Sequence, residues 1–229
     1  FALERLAAES APLSEPWPPS ALADLVGVLD AGEAGIAVLE ALDRAGLLTR
    51  LLPEWETVRI KAQHNAVHRF TVDRHLMETA AQASRLTRDV TRPDLLLIGS
   101  LLHDIGKGYP GDHSVVGAEV TLAIAPRLGL SPEDTRMVAA MVRHHLLLPD
   151  TATRRDLDDP ATIRIVTDAV ADSTELLALL HALTIADAAA TGPGAWSDWK
   201  AGLVASLVRR THAVMTGNPV AAPTPLDTD

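Results

Sequence analysis

The sequence predicts an all-α fold, and three observations support this class. Hydrophobic residues make up 47% of the 229 residues, which is ample for a core, and Ala and Leu are prominent among them. Aromatic residues make up only 3%, and few segments show the alternation of β-branched residues that is typical of strands. Apolar positions recur instead at helical spacing. The chain length predicts one large domain, or one domain with appendages.

Composition limits the chemistry and the partners. The chain has no cysteine, so disulfides and thiolate sites are excluded and any metal must bind to His and carboxylates. A formal net charge of -10 with nine His argues against a nucleic-acid partner but permits a nucleotide bound through a metal. No apolar run reaches the roughly 18 residues that a spanning helix needs, and we expect no signal peptide ahead of the domain. We expect no membrane partner and a domain of a longer cytoplasmic protein.

The first part of the chain, residues 1–60, is predicted to be a helical linker. A proline-rich loop over residues 11–20 separates a short first helix from two further helices, over residues 20–29 and 32–45. Residues 45–54 form a short amphipathic hook. This hook resembles the helical linker that follows the catalytic head in nucleotidyltransferases related to the CCA-adding enzymes.

The centre of the chain is predicted to be a buried helix that ends in an ionisable pair. Residues 95–102 are apolar on nearly every side, which indicates a helix in the middle of the domain. His103 and Asp104 follow at its carboxyl end. Because a bare buried charge is costly unless it is paired or binds a metal, these two residues are either a structural contact or part of a metal site.

A second helix is predicted over residues 71–88, upstream of the central one. Its apolar stripe includes Leu76 and Ala80. His75 lies off this stripe, so periodicity does not direct it inward, and from the pattern alone it would be a surface histidine.

Cap residues predict the helices that follow the central one. The expected bounds are residues 113–128, residue 132 to the paired histidines at 144 and 145, residues 160–171, a long apolar helix to residue 190, and residues 197–215. Asp112 and Ser131 are expected to cap the first two. Asp172 and Glu175 resemble a capping box for the long apolar helix. Residues 151–159 are predicted to be a polar loop.

Asp187 is a carboxylate on an apolar helix face. It continues the stripe that Leu176, Leu180 and Leu183 form at helical spacing. A solvated acid would lie on the opposite face, so we expect a metal or a buried partner at Asp187.

The string His-Asp-Ile-Gly-Lys, which begins at residue 103, resembles the signature of the HD superfamily of metal-dependent phosphohydrolases, a helical fold. The resemblance implies that the metal ligands are His75, the adjacent pair His103 and Asp104, and Asp187, which lie on three separate helices. Two imidazoles and two carboxylates suit a divalent ion such as Mn, Mg, Fe or Zn, with positions left for water and a phosphate oxygen.

Further histidines are candidates for a second ion. In superfamily members with two metals, an inserted pair of histidines builds the second site, and the motif aspartate, here Asp104, bridges the ions. His113 is one candidate, and His144 or His145 is the other. Adjacent residues lie about 100° apart on a helix, and the predicted inward stripe, which includes Met141, favours His145. The alternative is that these histidines are loop and surface residues.

Other polar residues are candidates for substrate contacts. Lys107, one turn past the motif aspartate, could orient a phosphate or keep that carboxylate ionised. Arg154 and Arg155 are candidates for the substrate phosphate, although a solvated loop would carry them equally well. His64 and His68 have the i,i+4 spacing of metal ligands on a helix, but a structural or supporting role is the stronger interpretation.

Several phrases resemble the central domain of the bifunctional PII uridylyltransferase/uridylyl-removing enzymes. The phrases begin at His68, Leu102, Asp112, Val142, Thr153 and Ala186. In that family a nucleotidyltransferase head precedes this domain, and ACT sensor domains follow it. The resemblance implies a linker over residues 1–60 behind such a head, a hydrolase domain over residues 61–216 and a disordered tail over residues 217–229.

The resemblance also implies the reaction. The chain would hydrolyse the phosphodiester between UMP, or AMP in some relatives, and a tyrosine of the PII signalling protein, and release the nucleotide as a small-molecule product. His103, Asp104 and Lys107 would be the catalytic residues of this metal-assisted hydrolysis. Tyrosine leaves as a phenol with a pKa of about 10, so little help from a general acid is required.

Two alternatives remain open. The first is a cyclic-dinucleotide phosphodiesterase of the HD-GYP type. In that family Gly-Tyr-Pro comes just after the paired histidines, whereas here it stands before them, at residues 108–110. The second is a non-catalytic domain that binds a nucleotide or passes signals between its neighbours.

Overall fold

The computed structural model describes residues 2–63, 70–192, 194 and 196–218, and this part of the chain confirms the all-α class, since it contains helices and no strand. The α-helices are α1 (Ala2–Glu9), α2 (Pro19–Asp30), α3 (Glu33–Arg44), α4 (Leu47–Leu51), α5 (Val72–Ala83), α6 (Pro93–Leu102), α7 (His113–Arg127), α8 (Pro132–His144), α9 (Leu147–Arg154), α10 (Pro160–Ala169), α11 (Thr174–Thr191) and α12 (Asp198–Met215). Short 3-10 helices span Pro53–Thr57, Ser84–Asp89 and Ile105–Gly108.

Helix α6 lies at the centre of the fold. Every residue from Leu95 to Leu102 is buried, because α5, α8 and α11 pack around this helix. Each fully buried leucine or isoleucine contributes about 1.5–3 kcal/mol relative to exposure, so α6 is a main source of stability. Pro93 begins the helix, where its missing N–H costs nothing. The carboxyl end of α6 therefore delivers His103 and Asp104 to the interior.

Helix α7 packs directly on the turn that follows α6. A Cβ atom at Gly106 would lie 2.0 Å from the backbone oxygen of His113, so a larger residue could not occupy this position without moving α7. The Asp112 side chain accepts hydrogen bonds from two backbone N–H groups in the first turn of α7, as an N-cap does. The glycine and the cap together fix His113 beside the end of α6.

The N-terminal helices α2 and α3 pack on the rest of the fold. Both contact α5, and α2 also contacts α6. The carboxylate of Glu54 accepts two hydrogen bonds from Arg127 at 2.9 and 2.8 Å, and the backbone N–H of Trp17 donates to the carbonyl oxygen of Arg127. Buried residues on both sides of residue 60 form one cluster. The division of the chain at this residue stays a prediction.

Two local predictions are wrong. Residues 151–159 are not a loop throughout, because α9 continues to Arg154 and buries one apolar face. Asp172 does not cap α11, since Ser173 occupies that position and its hydroxyl oxygen accepts a backbone N–H of the first turn at 3.1 Å. Of the predicted tail over residues 217–229, the structure describes residues 217 and 218. The rest of the tail lies outside the described residues.

Helix α11 meets the length and composition of a membrane-spanning helix, which the sequence analysis did not predict. Among the described residues it is the one helix that does so, with a mean hydropathy of 1.2 over 18 residues. However, 61% of this window is buried inside the fold, where α11 packs against α5, α6, α8 and α12. Its apolar composition is therefore that of a core helix.

Candidate metal centre

His103 and Asp104 lie at the carboxyl end of α6, where their side chains are 0% and 4% exposed. The Nδ1 atom of His103 lies 2.9 Å from the backbone carbonyl oxygen of Ser100. A carbonyl oxygen can only accept a hydrogen bond, so Nδ1 carries the proton of the neutral ring and Nε2 presents its lone pair. The last turn of α6 thus fixes His103 in the tautomer of a metal ligand.

A first group of ligand atoms comes from α5, from the end of α6 and from α11. The Nε2 atom of His75 lies 3.0 Å from Oδ1 of Asp187, and Nε2 of His103 lies 3.7 Å from the same oxygen. One ligand atom from each of these three residues lies within 4.8 Å of the other two. Separate segments therefore place two imidazoles and a carboxylate around one point.

A second group adjoins the first. The Oδ1 atom of Asp104 lies 3.6 Å from Nε2 of His113 and 3.6 Å from Nε2 of His145. The Nδ1 atom of His145 donates to the carbonyl oxygen of Val142 at 2.7 Å, which repeats the arrangement at His103. The Oδ2 atom of Asp104 faces the first group, 3.5 Å from Nε2 of His103. Asp104 thus connects the two groups.

Of the two adjacent histidines, the structure brings only His145 into these groups. His145 is 2% exposed, whereas His144 is half-buried and belongs to neither group. His75 is 1% exposed, although it lies off the apolar stripe of α5. The stripe was misleading because α5 is buried on nearly every face.

Opposite charges keep Asp104 ionised in the interior. Burial alone would raise its pKa, but His103 and Lys107 outweigh burial and hold the pKa of Asp104 well below its usual range. The Nζ atom of Lys107 lies 2.5 Å from Oδ2 of Asp104. Burial likewise opposes the charged form of His103, but Asp104 and Asp187 outweigh it and raise the pKa of His103.

The pKa shifts of His145 and Asp187 suit metal binding. Burial lowers the pKa of His145 to about 4, so this ring is neutral at pH 7. Burial acts against the ionised form of Asp187, but the hydrogen bond from His75 and the charge of His103 outweigh it and lower the pKa of Asp187 to about 2. A neutral imidazole and an ionised carboxylate are the forms that bind metals.

The residues present fit a divalent metal ion. The Nε2 atom of His103 and the Oδ1 atom of Asp104 are buried and have no hydrogen-bond partner in the described part of the chain. Such buried atoms cost about 1–3 kcal/mol each when they lack a partner, and coordination would offset that cost. Imidazole and carboxylate donors without thiolate suit Mn, Mg, Fe or Zn.

The centre lies at the base of a cleft of about 490 Å³, the metal cleft. Its lining residues are Lys61, Ala62, Gln63, Val72, Asp104, Lys107, His113, His145, Leu146, Asp187 and Thr191. The Nζ atom of Lys107 donates to Oε1 of Gln63 at 2.8 Å, so Gln63 helps to hold Lys107 against Asp104. The sequence analysis missed Lys61 and Gln63, because they precede α5 in a segment that no helical period or motif marks.

A second cleft of about 320 Å³, the side cleft, adjoins the metal cleft. The two clefts share Leu146, Asp187 and Thr191. Arg154 lines the side cleft, where its guanidinium lies 3.3 Å from the carboxylate of Asp150. Arg155 is exposed and lines neither cleft. Arg154, and not Arg155, therefore lines the cleft that adjoins the metal cleft.

Other histidines lie away from the centre or outside the described residues. His181 and His212 line a cavity of about 560 Å³ between α11 and α12. In the described part of the chain, neither residue belongs to a group of side chains that could bind a metal ion. The predicted structural or supporting role of His64 and His68 falls on residues outside those ranges.

Fold and centre together define a class of protein. The family model of the HD domain matches residues 72–191, which is more than half of the chain. The chain therefore belongs to the HD-domain family, as its sequence predicted, and its class is that of the metal-dependent hydrolases.

Particular relatives narrow this class. The bifunctional uridylyltransferase/uridylyl-removing enzyme of Streptomyces coelicolor is 58% identical over 218 residues, or 95% of this chain. The enzyme of the same name from Mycobacterium tuberculosis is 57% identical over 97% of the chain, and that of Gluconobacter oxydans is 43% identical over 78%. The matches cover 26%, 28% and 20% of these relatives, so the chain spans about a quarter of their length.

Proposed function

We propose that this chain is the hydrolytic part of a bifunctional uridylyltransferase/uridylyl-removing enzyme, and that it removes UMP or AMP from a tyrosine of the PII signalling protein. The observation that supports it most directly is the pair of ligand groups joined by Asp104 at the base of a cleft. The names of relatives that match nearly the whole chain support the choice of reaction.

The proposed ligands form two overlapping sets. The first set is His75, His103, Asp104 and Asp187, and the second is Asp104, His113 and His145. A divalent ion bound there supplies an activated water and neutralises charge on the phosphoryl oxygens. Mn, Mg, Fe and Zn all suit the mixed donors, and the two sets have room for one ion or two.

His103, Asp104 and Lys107 are the proposed catalytic residues. His103 is oriented by the carbonyl oxygen of Ser100, and Asp104 stays ionised beside Lys107. Lys107 also lines the metal cleft, where its ammonium group would offset the charge that develops on the phosphoryl oxygens. The leaving phenol has a pKa of about 10, so it requires little protonation by a side chain.

The metal cleft suits a phosphodiester carried on a folded protein. It is open to solvent and is not an enclosed cavity, as a tyrosine on a partner's loop requires. The chain is acidic overall, with a net charge of -10, yet Lys61 and Lys107 line this cleft and bring positive charge to it. We further propose that the reaction takes place in the cytoplasm, and that residues 1–60 link this domain to a nucleotidyltransferase head.

A metal analysis combined with a turnover assay tests this function. The chain, loaded with a divalent metal, is incubated with uridylyl-PII, and free UMP is measured, with Asp104→Asn as the control. The expected result is bound metal and UMP release for the native chain and neither for the variant. Preferential cleavage of a cyclic dinucleotide would favour an HD-GYP-type enzyme, and nucleotide binding without metal or turnover would favour a non-catalytic domain.

A further inference from the structure

The side cleft is placed to receive one half of the substrate. It shares Asp187 and Thr191 with the metal cleft, so a molecule whose phosphate reaches the metal centre can extend into it. Its volume of about 320 Å³ is at the small end of the range of about 300–1,000 Å³ for small-molecule pockets. This size suits one nucleoside and not a dinucleotide.

Trp196 forms an aromatic wall of the side cleft. It lies between α11 and α12 and is half-buried, since part of its side chain packs against the hydrophobic core while part lines the cleft. Packing against the core therefore positions the ring at the cleft. Nucleobases stack on such a ring whatever their hydrogen-bonding edges. The nearby Trp199 is 64% exposed and lines neither cleft.

Charged groups in the side cleft suit the sugar-phosphate end of a nucleotide. Arg154 and Lys200 both line it. Its carboxylates are Asp150, which pairs with Arg154 at 3.3 Å, and Asp187, which belongs to the metal centre. A bound metal would offset the charge of Asp187, so the cleft would present net positive charge beside an aromatic ring.

We propose that the side cleft binds the nucleoside of the nucleotidyl group, with the base stacked on Trp196. The inference rests on the proposed function for the phosphodiester, but it concerns only the nucleoside side of the phosphorus atom. The tyrosine on the other side of the phosphorus then lies in the metal cleft, toward Lys61 and Gln63. Trp196 is thus a specificity-determining residue for nucleotidyl over simpler phosphodiesters.

Two aryl esters isolate the contribution of the nucleoside. Uridine 5′-(p-nitrophenyl phosphate) and methyl p-nitrophenyl phosphate share the scissile bond and the leaving group. Trp196→Ala is expected to raise the KM of the uridine ester about tenfold more than that of the methyl ester, the effect of losing one base stack. Trp196→Phe should restore most of this difference.

Trp199→Ala is the matched control, and it should change the KM of neither ester. If Trp196→Ala raised the KM of both esters equally, Trp196 would only support the fold. If it changed the KM of neither ester, the nucleoside would bind elsewhere. Either result overturns the inference. The melting temperature of each variant shows whether it is folded.

A binding measurement separates this inference from the proposed function. In a Trp199→Phe background, UMP is titrated into the metal-loaded chain, and it should quench part of the indole fluorescence. Adding Trp196→Phe should abolish this quenching, because the tryptophans that remain, Trp17 and Trp55, are buried. If UMP quenches Trp196 but the chain does not release UMP from uridylyl-PII, the proposed function fails and the subsite stands. If the chain hydrolyses uridylyl-PII but UMP leaves Trp196 unchanged, the subsite fails and the function stands.

Discussion

The Oδ1 atom of Asp104 lies 3.6 Å from Nε2 of His145, while its Oδ2 atom lies 3.5 Å from Nε2 of His103. One carboxylate therefore connects two groups of ligands that come from different helices. Because Asp104 contacts both groups, its loss should affect every bound ion. The loss of His145 should affect only one group, and this difference separates a one-ion centre from a two-ion centre.

Asp104→Asn should abolish both metal binding and hydrolysis of uridylyl-PII. The amide keeps the shape of the side chain but removes the charge that Lys107 and the ions would share. The fold should persist, because α5, α6 and α8 have their own buried apolar faces. Metal analysis, circular dichroism and UMP release check this prediction. Full activity of the variant without bound metal would contradict the assignment of the centre.

His145→Ala should lower the metal stoichiometry more than His144→Ala does. His145 is buried with Nε2 directed at Asp104, whereas His144 belongs to neither group of ligands. His144→Ala is therefore a matched control one residue away. The metal content of both variants, measured at saturating Mn, decides between them. Equal losses, or a larger loss at His144, would place the second ion elsewhere.

The sequence predicted the parts of this centre that are contiguous or follow a period. His103 and Asp104 are adjacent at the end of an apolar run, and Asp187 continues an apolar stripe. Gln63 had no such signal, since its hydrogen bond to Lys107 spans 44 residues and exists only once the chain is folded. Trp196 was likewise unmarked, because its position on a cleft wall depends on how α11 and α12 pack.

Periodicity failed where a helix is buried on nearly every face. The stripe of α5 placed His75 on the outside, but α6 and α11 both pack on this helix and leave His75 1% exposed. Composition also misled at residues 151–159. The polar sequence there predicted a loop, although burial of a few apolar side chains is enough to extend α9 to Arg154.

Gly106→Ala should displace α7 and weaken the second group of ligands. A Cβ atom there would lie 2.0 Å from the backbone oxygen of His113, which is backbone and cannot rotate away. Overpacking of this kind costs about 1–3 kcal/mol. We expect a lower free energy of unfolding and a lower metal stoichiometry, measured by urea denaturation and metal analysis.

Gly27→Ala is the control for this substitution. Gly27 lies in α2, and a Cβ atom there would meet nothing within 4 Å. Because alanine favours a helix over glycine by about 1 kcal/mol, this variant should be as stable as the native chain or more so. If Gly106→Ala were equally harmless, α7 would not be fixed by its contact with the turn after α6.

The ion pair between Arg92 and Asp134 should make stability depend on pH in the acid range. Arg92 donates to Asp134 at 2.6 Å, and Ser131 donates to it at 2.9 Å. The hydrogen bond from Arg92 outweighs burial and lowers the pKa of Asp134. Since the folded pKa is below the unfolded value of about 3.9, the pair stabilises the fold above that pH. This stability is lost as the pH falls through the folded pKa.

Asp134→Asn should therefore lower the free energy of unfolding by up to about 1 kcal/mol at pH 7, because Arg92 is partly exposed and solvent screens the pair. The difference from the native chain should shrink below about pH 4. Urea denaturation at several pH values measures it, with Asp24→Asn on the exposed face of α2 as the control. A difference that does not change with pH would mean that the pair adds no charge-dependent stability.

Arg154→Ala should weaken the capture of nucleotidyl-PII more than Arg155→Ala does. Arg154 lines the side cleft beside the shared Asp187, and Arg155 lies outside both clefts. Loss of a guanidinium that donates a hydrogen bond to the nucleoside in the side cleft should lower kcat/KM on uridylyl-PII by about tenfold, the lower end of what a hydrogen bond to a charged group contributes. The decrease in kcat/KM on methyl p-nitrophenyl phosphate should be smaller, because that ester does not extend into the side cleft. Equal losses on both substrates would place Arg154 in the chemistry at phosphorus, and no loss on either would leave it a solvated residue paired with Asp150.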